Sequence, residues 1–388
     1  MPKLMENAYL NRADSRSDLQ NEGMIVTREK KLHEHVHYLS QFRQRAVTIQ
    51  QLSELGSIPS KEKLLLAARF LHKELPVRIA HRIRELESLP LGLSKMPSVQ
   101  VVHNMYVETL SDLVELPMPQ TIEDEDRFTQ TIEAIKQRHN NVVSIMAKGI
   151  QELKEHVGKD ELGHEIPEFL DRFYLSRIGI RMLIGHYVSC HNGSSNGFIG
   201  LICEKCSPAE VAEQAIADAQ NLCILHYTVA PEVAILGRTD LVFTYIPSHL
   251  HHMLFELLKN SMRAVVELHG DKVNDLPTIR VVISKGHEDV TIKISDEGGG
   301  IPRSGISRIW TYQYTTAARQ SISPSSIYYN DFHAPMAGLG YGLPLSRLYG
   351  RYFGGDLQII SMEGYGTDAY LHLRRLGDTE ESLPRKLH

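Results

Sequence analysis

The chain has 388 residues, with 42 Lys and Arg against 47 Asp and Glu and a formal net charge of −5 at pH 7. That length holds two ordinary domains, and the mildly acidic balance speaks against a nucleic-acid partner. No apolar stretch reaches the roughly 20 residues of a membrane span, and four cysteines (Cys190, Cys203, Cys206, Cys223) fit a reducing compartment better than a disulfide scaffold.

The first 24 residues carry Glu6, Asp14, Asp18 and Glu22 against Lys3, Arg12 and Arg16. A transit peptide should be Arg-rich and acid-poor, so residues 1–27 read as a disordered start with no legible targeting signal. Leu32, Val36, Leu39, Phe42 and Ala46 recur in threes and fours, which predicts a helix from Arg28 to Leu52. Of His33, His35 and His37, only the outer two share a helix face, and no third metal ligand follows at motif spacing. A second helix starts at Ser60 and carries Leu64, Leu65, Ala68, Leu71 and Leu75. Pro76 predicts a kink or two abutting helices there, because an interior proline costs about 3 kcal/mol. Another helix begins at Ser98, with Val101, Val102, Met105, Val107 and Leu110 as core candidates.

The acidic run Glu123–Asp126 opens the next helix, where acids complement the helix dipole, so capping outweighs an ion site. That helix is expected to continue through Ile132, Val142, Met146 and Leu153 until Gly163. A last helix spans Ile166 to Tyr187. Residues 28–190 therefore read as an all-α antiparallel bundle.

From His191 the character changes. HNGSSNG reads as a loop, and Cys203-Glu204-Lys205-Cys206 is a lone CxxC without a second pair. A helix follows Ser207-Pro208. Strands are predicted at Asp240–Tyr245, Thr278–Ser284, Asp289–Ser295, Asp356–Ser361 and Thr367–Leu373. With helices between them, residues 191–377 form an α+β domain, and 378–388 a short tail. Gln320–Ser326, with neighbours to Pro335, reads as a mobile insertion.

Four stretches of this second half carry chemistry. The helix SHLHHMLFELLKNSMRAVVEL places His252, Glu256 and Asn260 four residues apart on one face. Asn260 offers the neutral oxygen that Mg²⁺ accepts. Glu256 can take or orient a hydroxyl proton, and His252 can hold that carboxylate. Asp296, at a strand end, can accept a hydrogen bond from an exocyclic amine such as that of adenine. Gly298 and Gly300 behind it permit close approach of backbone to a ligand. Gly338-Leu339-Gly340-Tyr341-Gly342-Leu343 opens a helix whose free N–H groups make an anion site. It lacks the Lys-Ser/Thr of a Walker loop. Thr367, after a Gly-Tyr-Gly turn, offers a hydroxyl to the base near Asp296. Singly, each has a bland alternative: a solvated helix face, a glycine turn or a plain β-turn.

Taken in order, Glu-x-x-Lys-Asn, Asp-x-Gly-x-Gly, Gly-x-Gly-x-Gly and Gly-Thr resemble the Bergerat-type ATP fold of gyrases and histidine kinases. PSHLHHMLFELLKNSMRAVVE, SDEGGGIPRSGISRIWTYQYTTA and MAGLGYGLPLSRLYGRYFGGDLQIISMEGYGTDAYLHL more closely resemble the mitochondrial pyruvate dehydrogenase kinase family. FLHKELPVRIAHRIRELESLP, RHNNVV and DRFYLSRIGIRMLIGHY extend the likeness across roughly Arg28 to Leu376. The resemblance implies a matrix-located serine kinase that inactivates pyruvate dehydrogenase by phosphorylating its α subunit. It implies Glu256 as general base supported by His252, with Lys259 beside the site. Asn260 would bind Mg²⁺, Asp296 and Thr367 adenine, and Gly338, Gly340 and Gly342 the phosphates of ATP. It also implies a homodimer, and a bundle that docks the lipoyl domain of the dihydrolipoyl acetyltransferase core and holds a pyruvate-type pocket. Arg138-His139 matches the family's basic pair, but Lys136 stands where some members carry arginine, and Lys is not a bidentate substitute. Some members end in an arm with an Asp-Trp pair, whereas the one tryptophan here is Trp310. The nearest rival is a branched-chain ketoacid dehydrogenase kinase. A protein histidine kinase would need an H-box histidine, which is absent.

Overall fold

The computed structural model describes residues 30–56, 60–158, 162–193, 197–270, 275–314 and 340–384. The start read as disordered (1–27), the insertion read at 320–335, and Gly338 and Leu339 lie outside the described residues.

The first half is helical, as expected. Helix α1 (30–39) is followed by α2 (Ile49–Gly56), α3 (Lys61–Glu87), α4 (Pro97–Glu115), α5 (Ile122–Arg138), α6 (Val142–Val157) and α7 (Glu165–His191). Long helix α7 packs against α3 and α5, and α4 lies between α3 and α6. Phe169, Phe173, Tyr174 and Ile178 on α7 meet Leu75, Ile79 and Ile83 of α3 in one continuous apolar core.

Several expected boundaries move. The Arg28–Leu52 helix is two, because α1 stops at residue 39; Phe42, read on that helix's recurring face, lies beyond it and is 45% exposed. Pro76 does not split its helix: α3 runs unbroken over 27 residues. Proline removes one backbone donor, and the buried Leu75, Val77 and Ile79 on either side offset that loss. Val101 faces outward, while Val102 is fully buried. The helix predicted to run to Gly163 breaks at His139-Asn140-Asn141 and ends at Gly158, which takes the left-handed C-cap conformation. At the start of α5, Thr121 accepts from Asp124 N–H and the Asp124 carboxylate accepts from Thr121 N–H, a reciprocal capping box. Asp124 thus carries the capping role read for the acidic run.

The second half begins with β1 (Phe198–Ile199) and β2 (Ile202–Cys206), then α8 (Pro208–Tyr227), β3 (Val233–Gly237), β4 (Phe243–Tyr245) and α9 (Pro247–His269). Strands β5 (Ile279–Lys285) and β6 (Asp289–Asp296), helix α10 (Gly342–Tyr352) and strands β7 (Asp356–Met362) and β8 (Gly366–Arg374) complete it. The five-stranded sheet has the order β3-β5-β6-β8-β7, with β3 and β5 parallel and the other neighbours antiparallel. Val281, Ile283, Ile292, Ile294 and Leu371 alternate onto the face covered by α8, α9 and α10. The opposite face leaves Leu236, Ile360 and Met362 exposed. The CxxC cysteines sit on β2, opposite Tyr245 and Phe243 of β4, and both are free thiols.

The two halves are joined by buried contacts. α10 packs on α7 as well as on α9 and β7. Arg78 of α3 is fully buried and donates from Nη1 and Nη2 to both oxygens of Glu381 and from Nε to Glu74. Tyr352 of α10 donates to the same Glu381 carboxylate. Burial alone would lower the Arg78 pKa, but hydrogen bonds and charge from Glu381 reverse the balance and raise it.

Candidate active site

Helix α9 is the spine of the site. Its buried stripe of Leu250, Met253, Leu254, Leu257, Leu258 and Met262 anchors it to the core. The face expected to carry His252, Glu256 and Asn260 is not a solvated one. Glu256 is only 7% exposed, and His252 and Asn260 are half-buried. What covers this face is the start of α10. A side chain at Gly342 would overlap Glu256 Oε2, so glycine is what lets the loop close on the carboxylate.

Lys259 is 2% exposed and donates to Glu256 Oε1 at 2.7 Å. Its ammonium also lies 5.4 Å from the Phe255 ring centroid. Burial pushes the Glu256 carboxyl up, yet the charges of Lys259 and His252 outweigh it and hold the group below the ordinary carboxylate value. His252 adds to that downward pull on Glu256. The His252 ring packs 4.8 Å from Tyr349 of α10, which packs at the same distance against His249.

The other end of the site lies where β6 and β8 pair, with Asp296 directly opposite Thr367. Asp296 is 8% exposed. Its Oδ1 accepts from the backbone N–H groups of Gly298 (3.0 Å) and Thr367 (3.2 Å), and its Oδ2 from the Ser261 hydroxyl (2.8 Å). Burial dominates here and raises the carboxyl above its ordinary value, against those three bonds. The Thr367 hydroxyl pairs with Ser361 Oγ at 2.9 Å. Gly298 packs against Ala264 of α9, and Gly300 takes φ +71° against the carbonyl of Met362. Any side chain there would be both strained and blocked.

Of the sequence-predicted residues, the structure brings Glu256, Lys259 and Gly342 into contact, and Asp296, Gly298 and Thr367 into a second group. Ser261, next in sequence to Asn260, ties α9 to the second group. The Gly340 carbonyl accepts from Gln313 N–H, which ties the 312–314 segment to the residues just before α10. Leu343 is half-buried in the first turn of α10. Tyr341 departs from expectation. Its ring is 5% exposed and packs on Tyr312 (5.2 Å) and on Tyr174 of the bundle (5.9 Å).

Sequence reasoning missed the anchors from bundle to loop. The Tyr312 hydroxyl donates to Asp171 of α7 at 2.6 Å, and Gln313 Nε2 to the Ala147 carbonyl of α6 at 2.8 Å. It also missed Ser261. The available signal was a hydroxyl on the helix face that carries Lys-Asn.

The bundle holds a small cavity lined by Tyr106, Lys136, His139, Arg177 and Arg181. Burial pushes the His139 ring down to about 3, and nearby arginines add to the effect, so the ring is neutral. Arg138 of the expected basic pair turns away to Glu108 (3.0 Å) and Asp112 (2.8 Å).

Among the described residues, no helix is long and apolar enough to cross a membrane. Residues 245–376 match the family model described as histidine kinase-, DNA gyrase B- and HSP90-like ATPase. That shows an ATP-binding domain over the stretch that includes α9, the β6–β8 pair and α10. Residues 46–203 match the model described as mitochondrial branched-chain α-ketoacid dehydrogenase kinase. Over the whole length, the chain is similar to the mitochondrial pyruvate dehydrogenase (acetyl-transferring) kinase of Arabidopsis thaliana. The two are 52% identical, across 92% of this chain and 97% of that relative. Isozyme 3 of the mouse kinase (Mus musculus) is 42% identical across 89% and 85%. The Schizosaccharomyces pombe kinase is 36% identical across 91% and 99%. With these relatives matching over most of both lengths, the chain belongs to the mitochondrial pyruvate dehydrogenase kinase family.

Proposed function

We propose that this chain is an ATP-dependent serine kinase of the mitochondrial matrix that phosphorylates the pyruvate dehydrogenase α subunit and so inactivates that complex. The observation that carries the chemistry is the contact of Glu256 with the opening of α10. It puts a buried carboxylate beside the backbone that would hold the transferring phosphate.

Asp296 and Thr367 receive adenine in this reading, and Gly338, Gly340 and Gly342 the phosphates. Leu339, Tyr341 and Leu343 flank them. Asn260 carries a neutral oxygen on the same helix, one turn from Glu256, and its half-buried side chain fits a Mg²⁺ ligand. Mg²⁺, when bound, offsets the charge developing on the phosphate oxygens. Glu256 orients the attacking serine hydroxyl and accepts its proton. A carboxylate held below its ordinary pKa is a weak base, but phosphoryl transfer asks mainly for positioning and charge stabilisation. Lys259 steadies the carboxylate from one side and His252 biases it from the other.

The bundle (28–190) is the docking domain for a lipoyl domain of the acetyltransferase core, and residues 191–377 are the kinase domain. The bundle cavity takes a small carboxylate, with Lys136, Arg177 and Arg181 supplying the charge. A homodimer through the open sheet face is supported by the exposed Leu236, Ile360 and Met362.

The N-terminal match to the branched-chain kinase model favours a second reading, phosphorylation of the branched-chain dehydrogenase. Full-length chain with Mg²⁺ and ATP is given both dehydrogenases side by side. Faster serine phosphorylation of the pyruvate enzyme is expected. Equal or reversed rates would sink the assignment.

A further inference from the structure

One hydroxyl at the nucleotide end of α9 has no part in the chemistry above. Ser261 is 6% exposed, and its Oγ donates to Asp296 Oδ2 at 2.8 Å. Oδ1 of the same carboxylate already accepts two backbone N–H groups, from Gly298 and Thr367. A carboxylate oxygen has room for about two hydrogen bonds. Oδ1 is therefore filled, and Oδ2 keeps one open acceptor position. Among the described residues, no cation is hydrogen-bonded to this carboxylate. Its orientation rests on three neutral donors, one from each of α9, β8 and the loop after β6.

We propose that Ser261 is a positioning residue for nucleobase selection, fixing the Asp296 carboxylate so that its one open acceptor position meets the exocyclic amine of a 6-aminopurine. A base with a carbonyl at that position sets acceptor against acceptor and is rejected. Without the Ser261 hydroxyl, Oδ2 keeps no hydrogen-bond partner among the described residues. The carboxylate can then turn about its Cβ–Cγ bond, and its offer to the amine becomes one orientation among several. The inference deepens the adenine reading of Asp296 and rests on it.

The test uses the full-length chain, with ATP and GTP binding measured by calorimetry and ATP turnover measured on the dehydrogenase substrate. Ser261→Ala is expected to raise Kd and KM for ATP about tenfold, equivalent to about 1.4 kcal/mol, with kcat unchanged. Weak GTP binding should not move, and Ser261→Thr, which keeps the hydroxyl, should recover ATP affinity. In an Asp296→Asn background the added Ser261→Ala change should cost nothing, because the two side chains act as one unit. An ATP Kd unchanged in Ser261→Ala overturns the inference. So does an equal loss with and without the Asp296 carboxylate. If Asp296→Asn itself binds ATP as tightly as the unsubstituted chain, the adenine reading falls and takes this inference with it. If Asp296→Asn loses ATP while Ser261→Ala keeps it, only the role of Ser261 falls.

Discussion

Glu256 and Asp296 are both buried carboxylates anchored along one helix, about one and a half turns apart as measured from Glu256 to Ser261. Their protons behave in opposite ways. Burial disfavours charge on both. At Glu256 a buried ammonium and an imidazole reverse that effect, and the group is held ionised. At Asp296 only a hydroxyl and two amides oppose it, and the net shift is upward. The lesson is that neutral donors orient a buried carboxylate, whereas cations also fix its charge. The Glu256 end of the site holds a charge, and the Asp296 end holds a directed acceptor.

The strongest way to break this comparison is Glu256→Gln. Phosphoryl transfer should fall by about 10²–10⁴, measured as incorporation of labelled phosphate, while ATP Kd stays near its starting value. An unchanged rate would remove Glu256 from the chemistry. The same substitution should lower the melting temperature, because Lys259 loses its counter-charge. The native carboxyl lies below its ordinary value of 4.5. Its stabilising contribution is therefore complete above that value and disappears as pH falls through the lowered native one.

Glu381→Ala extends the cation-held class to the junction between the halves. Removing one partner of the buried Arg78–Glu381 pair should cost about 3–5 kcal/mol of stability, read from urea unfolding. A loss within the range of surface substitutions would show that Arg78 finds another partner.

Asp296→Asn gives the opposite pairing of effects. ATP binding should drop sharply, yet the melting temperature without ATP at neutral pH should hold or rise. Because the native carboxyl is raised, its contribution is fully present only below the ordinary carboxylate range. It is lost as pH rises through the raised native value, and a neutral amide escapes that loss. A lower melting temperature would contradict the neutral-donor account.

The smallest effect belongs to Tyr312→Phe. It removes the hydroxyl that Asp171 accepts from, a contact worth about 1 kcal/mol. Burial already raises Asp171, and losing this donor should raise it further. A titration of the variant that shows no upward movement would place Asp171 outside the neutral-donor class.

Much of the site was legible because it is local. His252, Glu256 and Asn260 fall four residues apart on one helix, and Asp296 ends a clearly alternating strand. What was not legible depends on chain segments far apart. Ser261 reads as an ordinary helix residue until β6 brings Asp296 against it from 35 positions away. Tyr341 sits in a glycine motif, and only the packed bundle shows that its ring belongs to Tyr174 and Tyr312. In the fold, α5 and α6 merged because the apolar period continues across His139-Asn140-Asn141, which contains neither Gly nor Pro. Strand β1 has two residues and β2 is ICEKC, too short and too charged for alternation to appear. Pro76 misled in the other direction, since tertiary burial on both sides overrides a local breaker.

The Arg78–Glu381 contact has a consequence for biosynthesis. The partners stand 303 residues apart, and Glu381 also accepts from Val47 N–H near the start of the bundle. At ordinary translation speeds of about 5–20 residues per second, the arginine waits on the order of 15–60 s for its acid. Until then a guanidinium that ends fully buried has only Glu74 as a carboxylate partner. The bundle cannot reach its final packing from its own sequence alone. A chain terminated shortly before residue 381 should accordingly behave as a persistent chaperone client, whatever the state of its ATP site.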